Sequence, residues 1–192
     1  MGAIGGTTDG PERRMTLDQF MRWQQDRAGR YELYGGRAVR MQAERNIHSI
    51  VKANVRDAFA VRLREAGVDC MALADGPTVA IDEAHGFVPD ASVQCGPIDL
   101  DSVYNEDPVV VVEVISPGSR AVDEVKKFRH YFRNSRVHHY LIVDPDDRSV
   151  IHYWRAGDKV ETAIGARAVL ELDPPGFTIE TASFFEGLGG GD

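Results

Sequence analysis

The 192-residue chain contains one stretch made almost wholly of β-branched residues, Pro108-Val-Val-Val-Val-Glu-Val-Ile115 (PVVVVEVI). Such residues are enriched in strands, and a continuous apolar run is typical of a strand that is buried on both faces. We therefore expect this strand at the centre of a sheet. Its one charged residue is Glu113, and a carboxylate at such a place is costly to desolvate unless it is paired, protonated or bound to a metal.

The residues before this strand predict two helices and several strands. Thr16 and Gln19 have the spacing of a capping box at the start of a short helix. Gly35-Gly36 predicts a hairpin turn between two strand-like runs. Apolar residues then recur at helical spacing from Ile47 to Leu63, and Gly67 ends that pattern. Three further strands are predicted, at residues 68–74, 77–81 and 87–93.

The residues after it predict a basic helix, more strands and a short final helix. Ser116-Pro117-Gly118-Ser119 ends the central strand, and the helix runs from about Val122 to Asn134. The strands are predicted at residues 139–143, 150–154 and 177–179, and the short helix at 182–185. This order predicts an α/β (α+β mixed sheet) fold, with one central mixed β-sheet flanked by helices.

Length and composition indicate one ordinary globular domain. We expect it at residues 15–187, between a disordered N-terminal tail (1–14) and a flexible C-terminal tail (188–192). No apolar run approaches the roughly 18 to 20 residues that span a bilayer. The Gly-rich N-terminus does not resemble a secretory signal. Cys70 and Cys95 make neither a disulfide framework nor a paired-cysteine zinc motif, so we expect a cytoplasmic protein with reduced thiols.

The charge balance limits what the chain can bind. A net charge of −8 argues against tight, stand-alone DNA binding, because proteins that bind nucleic acid usually present a positive face to its phosphates. A local basic surface is still compatible with this total. Between Ser116 and Tyr140, six basic residues stand against two acidic ones: Arg120, Lys126, Lys127, Arg129, Arg133 and Arg136 against Asp123 and Glu124. This run is either a solvated helix face or a surface that contacts phosphates.

Two carboxylates and a lysine stand out as candidates for chemistry. Asp90 follows Pro89 within a predicted strand, and Glu113 is near the end of the most apolar strand. Two carboxylates at the ends of central strands repel each other, and a divalent cation is a natural way to hold them together. Oxygen ligands favour magnesium or manganese over zinc. Lys126 or Lys127, in the next helix, is placed to stabilise charge near that metal.

Other chemistries find little support. The histidines at positions 85, 130, 138, 139 and 152 have no metal-ligand spacing, so a zinc site is not expected. Asp144, Asp146 and Asp147 lack the glycine and distal glutamate of a calcium loop and indicate a turn. No histidine is placed to activate Ser116 or Ser119, which argues against a serine hydrolase.

Five segments together resemble the Uma-type restriction-endonuclease-like family of the PD-(D/E)XK nuclease superfamily. They are Tyr31-Glu32-Leu33, His48, Pro89-Asp90, Val112-Glu113-Val114-Ile115-Ser116-Pro117 and Tyr140-Leu141-Ile142-Val143-Asp144-Pro145. The resemblance covers roughly residues 15 to 187, with the motifs in the expected order. Two turns depart from the family pattern: Gly35-Gly36-Arg37 replaces Asp-Gly-Glu, and Val137-His138 replaces Pro-Glu.

The resemblance implies a restriction-endonuclease-like core in which Asp90 and Glu113 bind the metal. The superfamily pattern places a lysine two residues after the glutamate, where this chain has Ile115. The Uma-type pattern places it in the following helix, at Lys127, with Lys126 as the competing position. The same pattern implies accessory roles for Glu32, His48 and Tyr131.

The resulting hypothesis is a metal-dependent endonuclease that hydrolyses the phosphodiester bonds of DNA through a water activated by Mg²⁺ or Mn²⁺. Its catalytic residues would be Asp90, Glu113 and Lys127. Phosphate contacts are expected from Arg120, Lys126 and Arg129. RNA would require the same residues, so the sequence does not separate the two substrates. The alternative is a catalytically silent binding or regulatory module with the nuclease fold, in a homodimer, which the acidic net charge favours.

Overall fold

The structure is a computed structural model that describes residues 14–115 and 123–189, with the backbone alone for residues 123–126. Residues 1–13 and 190–192 of the two expected tails therefore lie outside the described residues. The same holds for the expected strand end at Ser116 to Ser119 and for Arg120.

In this part of the chain the helices are α1 (Leu17–Gln24), α2 (Asn46–Ala66), α3 (Asp123–Tyr131) and a 3-10 helix (Thr181–Phe185). The first strands are β1 (Tyr31–Tyr34), β2 (Arg37–Arg40), β3 (Cys70–Ala74), β4 (Thr78–Asp82), β5 (His85–Phe87) and β6 (Ala91–Cys95). They are followed by β7 (Tyr104–Asn105), β8 (Pro108–Val114), β9 (His139–Asp144), β10 (Ser149–Ala156), β11 (Lys159–Gly165), β12 (Val169–Leu172) and β13 (Phe177–Glu180).

The predicted fold class is confirmed, with β8 in the interior of a mixed sheet. The six-stranded sheet has the order β11-β10-β9-β8-β6-β3, in which β8 runs parallel to β9 and antiparallel to β6. The prediction of a single sheet is wrong, because a five-stranded sheet (β2-β1-β5-β4-β7) and a two-stranded sheet (β12-β13) accompany it. A parallel pair such as β8 and β9 needs a crossover connection, and α3 lies in it.

The strand predicted at residues 87–93 is broken in the middle, and this break explains the division into two large sheets. β5 pairs with β1 and β4 in the five-stranded sheet, whereas β6 pairs with β3 and β8 in the six-stranded one. Pro89 lies between them and has no N–H to give to a sheet ladder. Asp90 is therefore at the crossing point between the sheets, just before β6, and not inside a strand.

At β8 the six-stranded sheet is buried on both faces. Alternate residues of a strand point to opposite faces. Val110 and Val112 lie in one cluster with α2, the two-stranded sheet and the 3-10 helix. Val111 and Ile115 lie in another with Tyr131 of α3 and with residues of β4 and β5. Glu113 has the same parity as Val111 and Ile115, so the fold directs its side chain towards α3.

Cys70 and Cys95 form a disulfide, so the expectation of reduced thiols is wrong. They are direct partners in the antiparallel pairing of β3 with β6. The register brings together two cysteines that are 25 residues apart, which their spacing in the sequence does not reveal. Among the described helices, none is both long and apolar enough to cross a membrane.

We expect Phe59→Ala to lower the free energy of unfolding by about 3–5 kcal/mol, because it opens a cavity in a well-packed core. Phe59 is fully buried on α2 against Phe177 and Phe184. Urea unfolding measures the loss. Val61→Ala is the matched control on the same helix, since Val61 is 42% exposed and should change stability by less than about 0.5 kcal/mol. Equal losses in the two variants would contradict the packing described for α2.

Candidate active site

Asp90 is fixed beside the end of β8 by the backbone. The Asp90 N–H donates to the carbonyl of Val112 at 2.9 Å, and the Val114 N–H donates to Asp90 Oδ2 at 2.6 Å. These contacts follow from the pairing of Ala91 with Val112, which places Asp90 next to Glu113 of the neighbouring strand. The break in the strand at Pro89 thus places the Asp90 carboxylate beside the Glu113 carboxylate of β8.

Glu113 is held by two residues of α3. Lys127 Nζ lies 3.1 Å from both Glu113 carboxylate oxygens, and the Tyr131 hydroxyl donates to Oε1 at 2.6 Å. Lys127 and Tyr131 are four residues apart, so they share one face of the helix. The structure therefore places Lys127 at the site. The side chain of Lys126, the competing position, lies outside the described residues.

Glu32 reaches the same lysine from the five-stranded sheet. Lys127 Nζ donates to Glu32 Oε1 at 2.9 Å, and the Val88 N–H donates to the same oxygen at 3.0 Å. Lys127 is thus held between two carboxylates that come from different sheets. The five-stranded sheet contributes directly to the site, in addition to covering the core.

A second lysine, which the sequence analysis did not identify, contacts Asp90 from the opposite side. Lys52 of α2 is only 8% exposed, and its Nζ lies 2.7 Å from Asp90 Oδ1. It also pairs with Glu44 and lies 3.6 Å from Asp75 Oδ2. The signal was present in the sequence, because position 52 falls on the helical stripe that His48, Val55 and Phe59 define. A lysine within an apolar stripe requires a buried partner.

His48 connects α2 to the end of β8. Its Nδ1 accepts from the Arg45 N–H at 3.2 Å, so the proton belongs on Nε2, which lies 3.0 Å from the Ile115 carbonyl. Both ring nitrogens are therefore engaged with the backbone. Of the expected phosphate contacts, Arg129 is exposed on α3, while Arg120 and the Lys126 side chain lie outside the described residues.

Burial dominates the electrostatics of the site. It raises the pKa of Glu113 to about 7, and Asp90 and Glu32 add to this rise while Lys127 and the Tyr131 hydrogen bond oppose it. Burial also raises the pKa of Asp90, against the effect of Lys52 and the Val114 N–H. The pKa of Lys127 is raised in spite of its burial, because Glu113 and Glu32 stabilise its charge. With Glu44 and Asp75 beside Lys52, five carboxylates face two ammonium groups and the Arg30 guanidinium, so a net negative charge remains when all are ionised.

The donor set fits a hard divalent cation. Carboxylate oxygens are the ligands that magnesium and manganese prefer, and the raised pKa of Glu113 marks a place where added positive charge is stabilising. Asp90 and Glu113 are, however, engaged by lysines, and within the described ranges they are not part of a tight cluster of three potential metal ligands. A metal ion would therefore replace part of the contact between Lys52 and Asp90.

A mixed sheet that brings Asp90 and Glu113 side by side, each paired with a buried lysine, defines a restriction-endonuclease-like protein. The sequence profile of the Uma2 family, described as "Putative restriction endonuclease", matches residues 17–182, and the chain belongs to this family.

Two known proteins are similar over nearly the whole chain. The crystal structure of a "putative nuclease belonging to DUF820" from Anabaena variabilis superimposes with a TM-score of 0.67 at 17% identity, over 89% of this chain and 97% of that one. This likeness establishes the fold. "Uncharacterized protein slr1290" from Synechocystis is 26% identical over 189 residues, covering 96% of this chain and 98% of the relative.

We expect Lys52→Met to destabilise the protein by about 3–5 kcal/mol at neutral pH, because it leaves Asp90 buried without its cation. Chemical unfolding in the presence of a chelator measures the change. Arg56→Met is the matched control, one turn further along α2, since Arg56 pairs with Asp57 at the surface and such pairs contribute little. A loss below about 1 kcal/mol for Lys52→Met would contradict a structural role for this ion pair.

The raised pKa of Glu113 predicts a pH dependence of stability. Because its pKa of about 7 in the folded state exceeds the usual glutamate value of 4.5, the folded protein binds the proton more tightly. The contribution to stability is therefore present at low pH and is lost as pH rises through about 7. Without metal, the wild type should lose more stability between pH 5 and 8 than Glu113→Gln does.

The comparison between these two proteins isolates Glu113. His139 and His152 have pKa values lowered to about 4, mainly by burial, so they contribute an opposite trend between about pH 4 and 6.5. That trend is the same in the variant and cancels in the difference. Thermal unfolding at several pH values provides the measurement, and parallel curves for both proteins would refute the shift.

Proposed function

We propose that this chain is a magnesium-dependent endonuclease that hydrolyses phosphodiester bonds of DNA. The observation that supports it best is the meeting of Asp90, Glu113 and Lys127 at the end of β8. Residues from two sheets and two helices contribute to this group of buried charges. Such an arrangement is expensive to build for stability alone, because paired buried charges seldom improve on apolar packing. Membership of the Uma2 family supports the nuclease class.

Asp90 and Glu113 would hold the metal ion, with Mg²⁺ or Mn²⁺ as the candidates. When bound there, the ion would supply Lewis acidity, which lowers the pKa of a water molecule and offsets the charge of the scissile phosphate. Asp90 is held in place for this by the Val114 N–H and by Lys52. Glu113 is held by Tyr131.

Lys127 would stabilise the negative charge that builds up on the phosphate in the transition state. Its raised pKa keeps the ammonium group charged at any working pH. Glu32 and Glu113 fix its direction, and a fixed charge in a site with little water stabilises a transition state without reorganising. Arg120, Lys126 and Arg129 would contact the flanking phosphates, which offsets the unfavourable net charge of the whole chain locally.

The second candidate is a catalytically silent binding or regulatory module in a homodimer. One observation favours it: the carboxylates of the site have lysine partners, so the fold satisfies its buried charges without a metal. In either case we propose that residues 15–187 act as one unit. Metal binding separates the two candidates.

We expect magnesium or manganese to raise the melting temperature of the wild type and to support cleavage of plasmid DNA. Asp90→Asn and Glu113→Gln should lose both responses, with cleavage at least about 100-fold slower. Lys127→Met should keep the metal-induced rise and lose cleavage to a similar degree, because it removes the cation without removing a ligand. Asparagine is preferred to alanine at position 90 because its one side-chain oxygen can still accept the hydrogen bond from the Val114 N–H.

Glu65→Gln provides the control, since Glu65 is an exposed carboxylate of α2 paired with Arg62. It should behave like the wild type in both assays. Metal-dependent cleavage that persists in Asp90→Asn would refute the proposed site. If neither metal stabilises the wild type, and no cleavage of DNA or RNA occurs at millimolar metal, the silent module is the better description.

A further inference from the structure

A separate group of potential metal ligands lies where β4 and β5 meet α3. Asp82, His85 and His130 each offer one ligand atom, and these atoms lie within 4.8 Å of one another. The His85 and His130 rings stack with centroids 4.1 Å apart, and His85 Nδ1 lies 2.7 Å from Asp82 Oδ1. The fold thus joins two histidines that are 45 positions apart in the sequence and show no ligand spacing there.

His130 carries an unsatisfied nitrogen. Its Nδ1 is buried and has no hydrogen-bond partner among the described residues. Buried polar atoms are nearly always satisfied, so an exception calls for an explanation such as a ligand. Burial also lowers the pKa of His130, with further contributions from His85 and Arg133. A neutral imidazole is the form that binds a metal.

Aromatic residues hold the His130 ring in place. Tyr34 and Phe87 meet it edge-on, with ring centroids 5.4 Å and 5.7 Å away. Tyr34 packs against His85 in the same manner. A rigid apolar surround fixes the orientation of ligating rings and limits access of water, both of which favour metal binding.

We propose that Asp82, His85 and His130 form a second metal site, for a divalent transition metal ion and zinc in particular. Two imidazoles and one carboxylate suit zinc, with water as the fourth ligand, whereas magnesium prefers oxygen alone. Tetrahedral bonds of about 2.0 Å imply ligand atoms about 3.3 Å apart, so His85 Nδ1 and Asp82 Oδ1 would separate slightly from their 2.7 Å contact. Asp82 would exchange its 3.4 Å contact with Arg133 for the metal.

This site would tie α3 to β4 and β5. His130 precedes Tyr131 and follows Lys127 by three residues, so the helix it anchors also carries two side chains of the carboxylate site. Zinc bound here would link α3 to the five-stranded sheet. Zinc binding at this site would need neither DNA nor magnesium, so it is independent of the proposed nuclease activity.

The test is zinc binding by the full chain, stripped of metal and then kept in excess magnesium so that oxygen-only sites are filled. Calorimetry with Zn²⁺ gives the stoichiometry and affinity, and the visible absorption of Co²⁺ reports tetrahedral nitrogen ligands. The wild type should bind one equivalent with a dissociation constant of about 1 μM or below. His85→Gln and His130→Gln should weaken binding at least about tenfold.

His138→Gln is the matched control, because His138 is also half-buried but lies outside the cluster. It should keep the wild-type affinity. Zinc should raise the melting temperature of the wild type and of His138→Gln, but not that of His85→Gln or His130→Gln. Thermal unfolding in the presence of a chelator checks that each variant folds. If His130→Gln does not fold, the zinc affinity of His85→Gln is the deciding measurement. Binding weaker than about 100 μM in the wild type, or equal affinities in His85→Gln and His138→Gln, would overturn the proposal.

Discussion

The packing of α3 and of the five-stranded sheet against β8 depends on the contact between the Glu113 carboxylate and the Lys127 ammonium group. Glu113 lies on the most apolar strand, where a lone charge would be untenable. Lys127 and Tyr131 satisfy it only if α3 packs against β8, and Glu32 reaches Lys127 only if the five-stranded sheet packs there as well. Three elements that are distant in the sequence are thus placed by one buried charge.

The six-stranded sheet separates two cationic supports of the site. Lys127 comes from α3 on one face, and Lys52 comes from α2 on the other. Lys52 contacts Asp90 and Lys127 contacts Glu113, while the charge of Lys127 also acts to lower the pKa of Asp90. The two helices are joined to the sheet by apolar clusters that share no residue. The charge distribution of the site therefore depends on the packing of both faces.

Local patterns predicted the elements well, and pairing between distant residues explains what they missed. The β-branched run gave β8, the stripe from Ile47 to Leu63 gave α2, and the fold class followed. The break at Pro89 was missed because a strand that changes sheets still has a continuous apolar pattern. The disulfide of Cys70 and Cys95 depends on strand register, and the exposed hairpin strand β11 has no buried face to give a pattern. The sequence shows Lys52 as a lysine within an apolar stripe, but it does not show that Lys52 pairs with Asp90.

Because the site lysine, Lys127, is on α3, β8 needs no second charged residue beside Glu113. Ile115, two residues after Glu113, is 9% exposed and belongs to the apolar cluster with Tyr131 and Tyr140. The packing of α3 against β8 then brings Glu113 and Lys127 together, whereas a lysine on the same strand would lie at a fixed spacing from the glutamate. The entropy of closing a loop rises only slowly with its length, so we expect insertions between β8 and α3 to cost little stability. The connection could then lengthen during divergence while the same atoms still meet.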